Sequence, residues 1–232
     1  MKLLSKLSAL LPLVMTLIWA QFLPDRVPAH YDFAGNVDRW GSRWEYLLLP
    51  GVVLVMAAVF LSVAAGLRRK AAGDEKALAH AEANGKVLHV ILLITSLMFT
   101  TLQAFLLAHA GRAAVEGAPA PALNRVTAIC LGAAFIGLGN VMPKAKRNSI
   151  VGLRCSWSEY NDVTWQKSNR MAGYFLAGAG VLTVVTALLV PDAWAVPAVL
   201  ILLTLAVIAS LVYACRVCQQ EKAAAREGRA GE

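Results

Sequence analysis

Residues 46–67, YLLLPGVVLVMAAVFLSVAAGL, carry no charged side chain. As an α-helix this run extends about 33 Å at 1.5 Å per residue, enough to cross the roughly 30 Å hydrocarbon layer of a bilayer. It ends on Arg68-Arg69-Lys70, a cationic stop of the kind found at the headgroups. Outward from it, five more runs of the same character lie at 7–23, 87–108, 122–142, 171–190 and 194–215, separated by polar, Gly-containing or charged connections. The 232-residue chain is 58% hydrophobic and only 16% charged, with a mean hydropathy of +0.59, a membrane composition. Backbone amides in hydrocarbon must be paired within the protein, so only helices or a closed barrel can span. Long apolar runs without dyad alternation exclude the barrel. The expected fold class is all-α, a polytopic bundle of six transmembrane helices. The first run is read as a spanning helix and not as a secretory signal, because it exceeds the roughly 7–15 residue core of a signal and lacks a small-x-small cleavage site. Pro12 and Pro197 are expected to be kinks absorbed by neighbouring helices.

Charge gives the orientation. Of the 22 Lys and Arg residues, Arg26, Arg39, Arg43, Arg112 and Arg125 fall on the side opposite the termini, and the other seventeen, Arg229 in the tail among them, fall on the terminal side. The positive-inside rule puts both termini in the cytoplasm of an inner (plasma) membrane. The net charge of +8 then points to anionic headgroups, at about 1 kcal/mol per cation, and not to nucleic acid. The chain divides into an N-terminal helical hairpin (1–67) with an ordered extracytoplasmic loop (24–45), a cytoplasmic loop and third span (68–121), a region (122–215) with a cytoplasmic loop at 143–170, and a cytoplasmic tail (216–232). The 68–86 connection is Ala-rich and partly helical at the surface. The tail is expected to be helix trailing into disorder.

Polar specificity is concentrated in two places. In the outer loop, LPDRVPAHYDFAGNVDRWGSRWE (23–45), Pro24 and Pro28 end the first helix and favour extended backbone. Ala34-Gly35-Asn36 marks a turn, and Trp40 and Trp44 suit the headgroup level. In the second segment, 137–175, Asn140 is a polar group near the inner end of the fourth span, and Pro143 ends that helix. Lys144, Lys146, Arg147 and Arg154 follow. Ser158 is a candidate N-cap, with Glu159 and Asp162 in the first turn. The local reading is a short interfacial helix laying Trp157 and Trp165 into the headgroups.

The residues Gly139, Asn140, Pro143, Lys144, Asn148, Gly152, Arg154, Trp157, Trp165, Arg170 and Gly173 occur in the order and spacing of a known signature. The segment resembles the SdpI family of bacterial immunity and signalling membrane proteins. The outer loop, through Leu23, Pro24, Pro28, His30, Gly35, Asp38, Trp40 and Gly41, resembles the small domain of unknown function that often precedes that signature. The resemblance implies a multi-pass inner-membrane protein that protects its host against a secreted membrane-active peptide toxin and signals by holding a cytosolic repressor at the membrane. Two departures stand out: Cys155-Ser156 replaces the family's usual Thr-Pro, and Asn169 replaces its usual His. If that His is the family's working group, activity here is altered.

Several chemical candidates weigh less. His30, Asp32 and Asp38 supply one imidazole and two carboxylates in a turn-rich loop, short of a zinc ligand set, so no metal is expected. Cys215 and Cys218 form a lone Cys-x-x-Cys, read as reduced structural thiols. With Cys130 in a span and Cys155 in a cytosolic loop, no disulfide framework is expected. No catalytic or nucleotide-binding fingerprint occurs, so neither an enzyme nor a cofactor is expected. The pairs Ala128/Gly132, Ala133/Gly137 and Gly173/Ala177 stand four apart, on one helix face each, as in close helix packing. His89 and Gln103, polar within the third span, carry the alternative reading, a small transporter or permease subunit. A structural assembly partner is the third reading.

Overall fold

The computed structural model describes residues 1–232 except 33–34, 117–121, 149 and 231–232, and the side chains of 112–116 and 228–230 are also left undescribed. The expected turn residue Ala34 and the side chains of Arg112 and Arg229 therefore lie outside the described residues.

Among the described residues, six long helices make up most of the chain: α1 (Lys2–Trp19), α2 (Leu48–Lys70), α3 (Glu75–Glu116), α4 (Leu123–Val141), α5 (Asp162–Leu189) and α6 (Asp192–Ala230). Each contains an apolar stretch long enough to cross a bilayer, as the six runs predict. The only sheet among the described residues is an antiparallel hairpin, β1 (Arg26–Tyr31) and β2 (Val37–Ser42), followed by a 3-10 turn at Arg43–Leu47. α1, α2 and α3 pack together, as do α4, α5 and α6, and α3 meets α4 between the two groups.

The distribution of side chains is that of a protein in lipid. Leu48, Val55, Leu189, Leu200 and Ile201 are exposed, whereas the buried positions are largely small: Ala9, Ala57, Ala64, Ala128, Ala134, Ala179 and Ala187. Lipid tails are as apolar as leucine, so large aliphatics gain nothing by leaving them. Helices in lipid associate through close packing of small residues and interhelical hydrogen bonds.

Helix boundaries depart from the sequence reading where local chemistry extends or shifts them. α2 runs through the cations at 68–70, which stand in its last turn. Gly73, at φ +100°, makes the turn, Asp74 Oδ1 accepts from Ala77 N–H at 3.0 Å, and α3 continues unbroken from Glu75 into the membrane run. The 68–86 connection is thus mostly helix. The tail also differs: α6 continues through 216–230, held to α5 by Lys167–Glu221 at 3.0 Å and to the loop before α5 by Lys222 over the Tyr160 ring at 5.2 Å. Pro12 and Pro197 both lie inside helices.

Opposite that end, Arg125 at the start of α4 donates to the Ala187 and Val190 carbonyls, both at 3.0 Å. It supplies a cation to the electronegative C-terminus of α5. Asp192, in the first turn of α6, accepts from Arg125 N–H at 2.9 Å and Asn124 Nδ2 at 3.2 Å. The two groups latch three helix ends together.

Candidate functional site

The 24–45 loop is a folded hairpin and not a linker. Val27 pairs with Gly41 and Pro28 with Trp40, with irregular register on either side of His30. Its turn is closed by Asp32, whose carboxylate accepts from Asn36 N–H at 2.8 Å and Asn36 Nδ2 at 3.1 Å, and by Gly35 at φ +84°, a conformation that favours glycine. Gly41 is needed because a Cβ there would run into the Glu45 carboxylate and stand 2.8 Å from Ala29 Cβ. Ser42 and Glu45 cap the 3-10 turn reciprocally. Glu45 also pairs with Arg39 at 2.8 Å.

Four bonds tie the hairpin and the turn below it to the bundle. Tyr46 donates its hydroxyl to the Pro28 carbonyl at 2.9 Å, and Arg43 donates to the Leu23 carbonyl at 2.8 Å. From within α3, Gln103 Nε2 donates to the Tyr46 carbonyl at 2.9 Å and to Thr16 Oγ1 on α1 at 2.8 Å. Pro24 lies in the connection between α1 and β1. His30 and Asp38 form an exposed pair at 2.7 Å, and Asp32 is engaged with the turn, so the three candidate ligands do not converge as a group. The guanidinium of Arg26 sits 5.8 Å over Trp40 and that of Arg43 5.6 Å over Trp44.

At the other end, the signature segment assembles from α4, α5 and the loop between them. Gly139 and Gly173 stand face to face. A Cβ on Gly173 would lie 2.5 Å from the Gly139 carbonyl and 3.0 Å from Pro143 Cδ, and one on Gly139 would strike the Gly173 carbonyl and sit 2.9 Å from Ala177 Cβ. One helical heptad away, Gly132 and Gly180 repeat the contact, with a Cβ on Gly180 2.5 Å from the Gly132 carbonyl. The four-residue pairs only partly foresee this seam: Gly132, Gly173 and Ala177 lie in it, Gly137 instead packs on Ile94, and Ala133 is exposed. Gly180, in the seam as well, belongs to none of those pairs.

The loop from 142 to 161 is irregular, and its described residues include several paired polar groups. Pro143 sits in a short 3-10 turn (Met142–Lys144) that follows α4. Asn148 Oδ1 accepts from Ile150 and Val151 N–H, both at 2.7 Å, and its Nδ2 donates to the Lys146 carbonyl at 2.6 Å. Gly152 takes φ +118°, and a Cβ there would collide with Asn169 and stand 3.1 Å from Trp165 Cζ2. Asn169 Oδ1 accepts from Leu153 N–H at 2.6 Å while its Nδ2 donates to the Trp165 carbonyl at 3.1 Å. Position 169, the family's usual His, is here a buried clamp between α5 and the loop. Lys146 N–H is received at 2.9 Å by Asn84 Oδ1, a buried side chain of α3.

Two expectations about this loop are corrected. Ser158 does not cap a helix: it is buried, accepts from Cys155 N–H at 3.1 Å and donates to the Leu153 carbonyl at 2.8 Å. The N-cap is Asn161, because Thr164 at N3 returns the bond: Thr164 N–H donates to Asn161 Oδ1 at 2.7 Å and Asn161 N–H to Thr164 Oγ1 at 2.9 Å. Asp162 is in the first turn as expected, and Glu159 is not. There is no separate interfacial helix, since α5 passes directly into its apolar run. Trp165 is correspondingly not in the headgroups: it is 1% exposed, with Nε1 donating to the Ala145 carbonyl at 2.9 Å.

Other signature residues face outward. Asn140 is exposed, its Nδ2 donating to the Ile136 carbonyl at 3.0 Å. Lys144 is exposed, and Trp157 is 39% exposed. Arg154 pairs with Glu159 at 3.0 Å, and Arg170 lies 5.9 Å over the Tyr174 ring. All four cysteines are free thiols. His89 is buried with Nδ1 2.9 Å from Ser5 Oγ, so His89 and Gln103 both bond to α1.

These features define a multi-pass helical membrane protein with a structured loop at each end. Residues 144–214 match the SdpI/YfhL protein family, and residues 7–54 match a domain of unknown function, DUF1648, which bears out both resemblances drawn from the motif residues. The first match begins at Lys144, so Gly139, Asn140 and Pro143 stand just ahead of it, and residues 55–143 lie between the two matched regions. An uncharacterized protein of Archaeoglobus fulgidus is 44% identical over 55 residues, which are 24% of this chain and 30% of the relative. The chain therefore spans less than a third of that relative in the match. No solved structure matches.

Proposed function

We propose that this protein is an immunity and sensing protein of the inner membrane, oriented with both termini in the cytoplasm. In this reading the hairpin around His30 to Trp44 meets a secreted, membrane-active peptide, and the 140–170 segment reports inward by holding a cytosolic repressor. It acts by binding and not by catalysis. The observation that carries the reading is that α3 bonds to both polar sites: Gln103 holds the 3-10 turn below the hairpin, and Asn84 holds the signature loop. The nineteen helical steps from Asn84 to Gln103 make a rod of about 28 Å. His89 and Gln103, the groups a transporter would place on a path, are both engaged in interhelical bonds, which favours packing roles for them.

The test is survival of toxin-sensitive cells expressing the chain, with membrane insertion verified. Protection is expected, and substitution of Arg154 or Trp157 is expected to reduce it more than substitution of His89 or Gln103. No gain in survival from the inserted protein overturns the immunity reading, and the reverse order of sensitivities favours a transporter.

A further inference from the structure

A concave site of about 470 Å³ opens between the start of α3, the loop after Pro143 and the first turns of α5. Lys76, Lys146, Arg147, Lys167 and Arg170 line it against a single carboxylate, Asp162. Arg147 is shared with Asp162 at 3.4 Å and Lys167 with Glu221 at 3.0 Å, while Lys76 and Lys146 have no ion pair among the described residues. Like charges gathered in one concavity repel, and the repulsion is relieved only by a counter-anion or by salt. Pro143 and Trp165 form part of the wall. The site also lies at the polar–apolar boundary: Pro143 closes the apolar run of α4, and Arg170 immediately precedes that of α5.

From this geometry we infer that the cavity binds a phosphate-bearing anion, and its depth favours the headgroup phosphodiester of an anionic phospholipid over free phosphate. Basic pockets between spanning helices at one bilayer face are the known physical form of such sites. Arginine contributes a planar donor fork matched to phosphate oxygens, and the two lysines contribute mobile point charges. The inference does not depend on the immunity reading, because it concerns charge, shape and depth alone.

The test uses the full chain in zwitterionic detergent, titrated with dioctanoyl phosphatidylglycerol, with dioctanoyl phosphatidylcholine as the neutral reference and inorganic phosphate as the soluble competitor. Native mass spectrometry counts bound lipid, and tryptophan fluorescence follows occupancy beside Trp165. Phosphatidylglycerol is expected to bind saturably, at least tenfold tighter than phosphatidylcholine. The K76Q/K146Q variant should weaken it by about 25-fold, fivefold per lysine, the equivalent of about 1 kcal/mol each. K76R/K146R should restore binding, and R69Q/K70Q, which removes the same charge from an exposed cluster elsewhere, should change it less than twofold. Displacement by millimolar inorganic phosphate would assign the site to soluble phosphate, and failure to displace assigns it to lipid. Equal binding of the two lipids, full binding by K76Q/K146Q, or equal loss in R69Q/K70Q overturns the proposal.

Discussion

The α4–α5 seam makes the sharpest energetic prediction. In G139A the new methyl would sit 2.9 Å from Ala177 Cβ and 2.7 Å from Ala177 N, whereas carbon atoms rest about 3.5–4.0 Å apart. The helices must therefore part by up to about 1 Å at the point where both backbones are in contact. Overpacking of this kind costs about 1–3 kcal/mol. Set against it is the intrinsic gain of replacing a helical glycine by alanine, about 1 kcal/mol. G178A, on the exposed face of α5, collects the same gain with nothing within 4 Å of the added methyl. Propensity cancels in the difference between the two variants, so G139A should be less stable than G178A by about 1–3 kcal/mol. Reversible unfolding of the reconstituted chain by SDS titration in bicelles measures that difference directly. If the two variants agree within about 0.5 kcal/mol, the size of an ordinary surface change, the seam is not where α4 and α5 are held, and the packing account of Gly139 and Gly173 fails.

Three further outcomes follow from the same contacts. N169A removes the acceptor of Leu153 N–H, a loss of about 1 kcal/mol or somewhat more, so trypsin should cut after Arg154 about five times faster; an unchanged rate would mean that the clamp does not hold the loop. Q103L breaks the bonds to Thr16 and Tyr46 but also removes a buried Oε1 that has no partner among the described residues. Interhelical bonds in membranes average about 0.6 kcal/mol, so its cost should stay below about 1 kcal/mol; a loss of several kcal/mol in SDS titration would refute this. In a cysteine-free background, D25C should react with an impermeant maleimide added outside intact cells, and A223C only after the cells are opened. The opposite labelling pattern would invert the topology proposed from the cation count.

The membrane architecture was legible in sequence because its cause is one-dimensional: hydrocarbon thickness fixes the length of an apolar run, and headgroup charge fixes where cations gather. The hairpin was not, because its strands are short, polar and Pro-containing. They are fixed by contacts from outside the loop, such as the Tyr46 hydroxyl on the Pro28 carbonyl and Arg43 on the Leu23 carbonyl. The capping error has a similar origin. Ser158 and Asn161 are both good N-cap residues, and acidic neighbours made Ser158 attractive, but only Asn161 has a hydroxyl three residues ahead that returns the bond. Trp165 was misplaced because indole suits an interface and a core equally well; its contacts with Ala145 and Gly152 decide the matter. Asn84 gave a faint signal as a lone amide in an Ala-rich helix, and Arg125 and Asp192 as opposite charges at the edges of two apolar runs.

The signature separates physically into two sets. Gly139, Gly173, Pro143, Asn148, Gly152 and Trp165 are accounted for by close helix approach, turn geometry and hydrogen bonds that bury the loop against α5. Substituting them perturbs the scaffold, so lost activity in those variants says little about what the site binds. Asn140, Lys144, Arg154, Trp157 and Arg170 lie at the surface, and the bonds they make, to Ile136, Glu159 and Tyr174, are local and exposed. Exposed pairs of that kind contribute little to stability, at most about 1 kcal/mol, so the fold does not explain why those residue types stand there. On the proposed reading, a cytosolic partner would meet that second set. A variant such as W157A that keeps its SDS midpoint and loses protection would locate recognition on this face, whereas loss of both together would assign Trp157 to the scaffold.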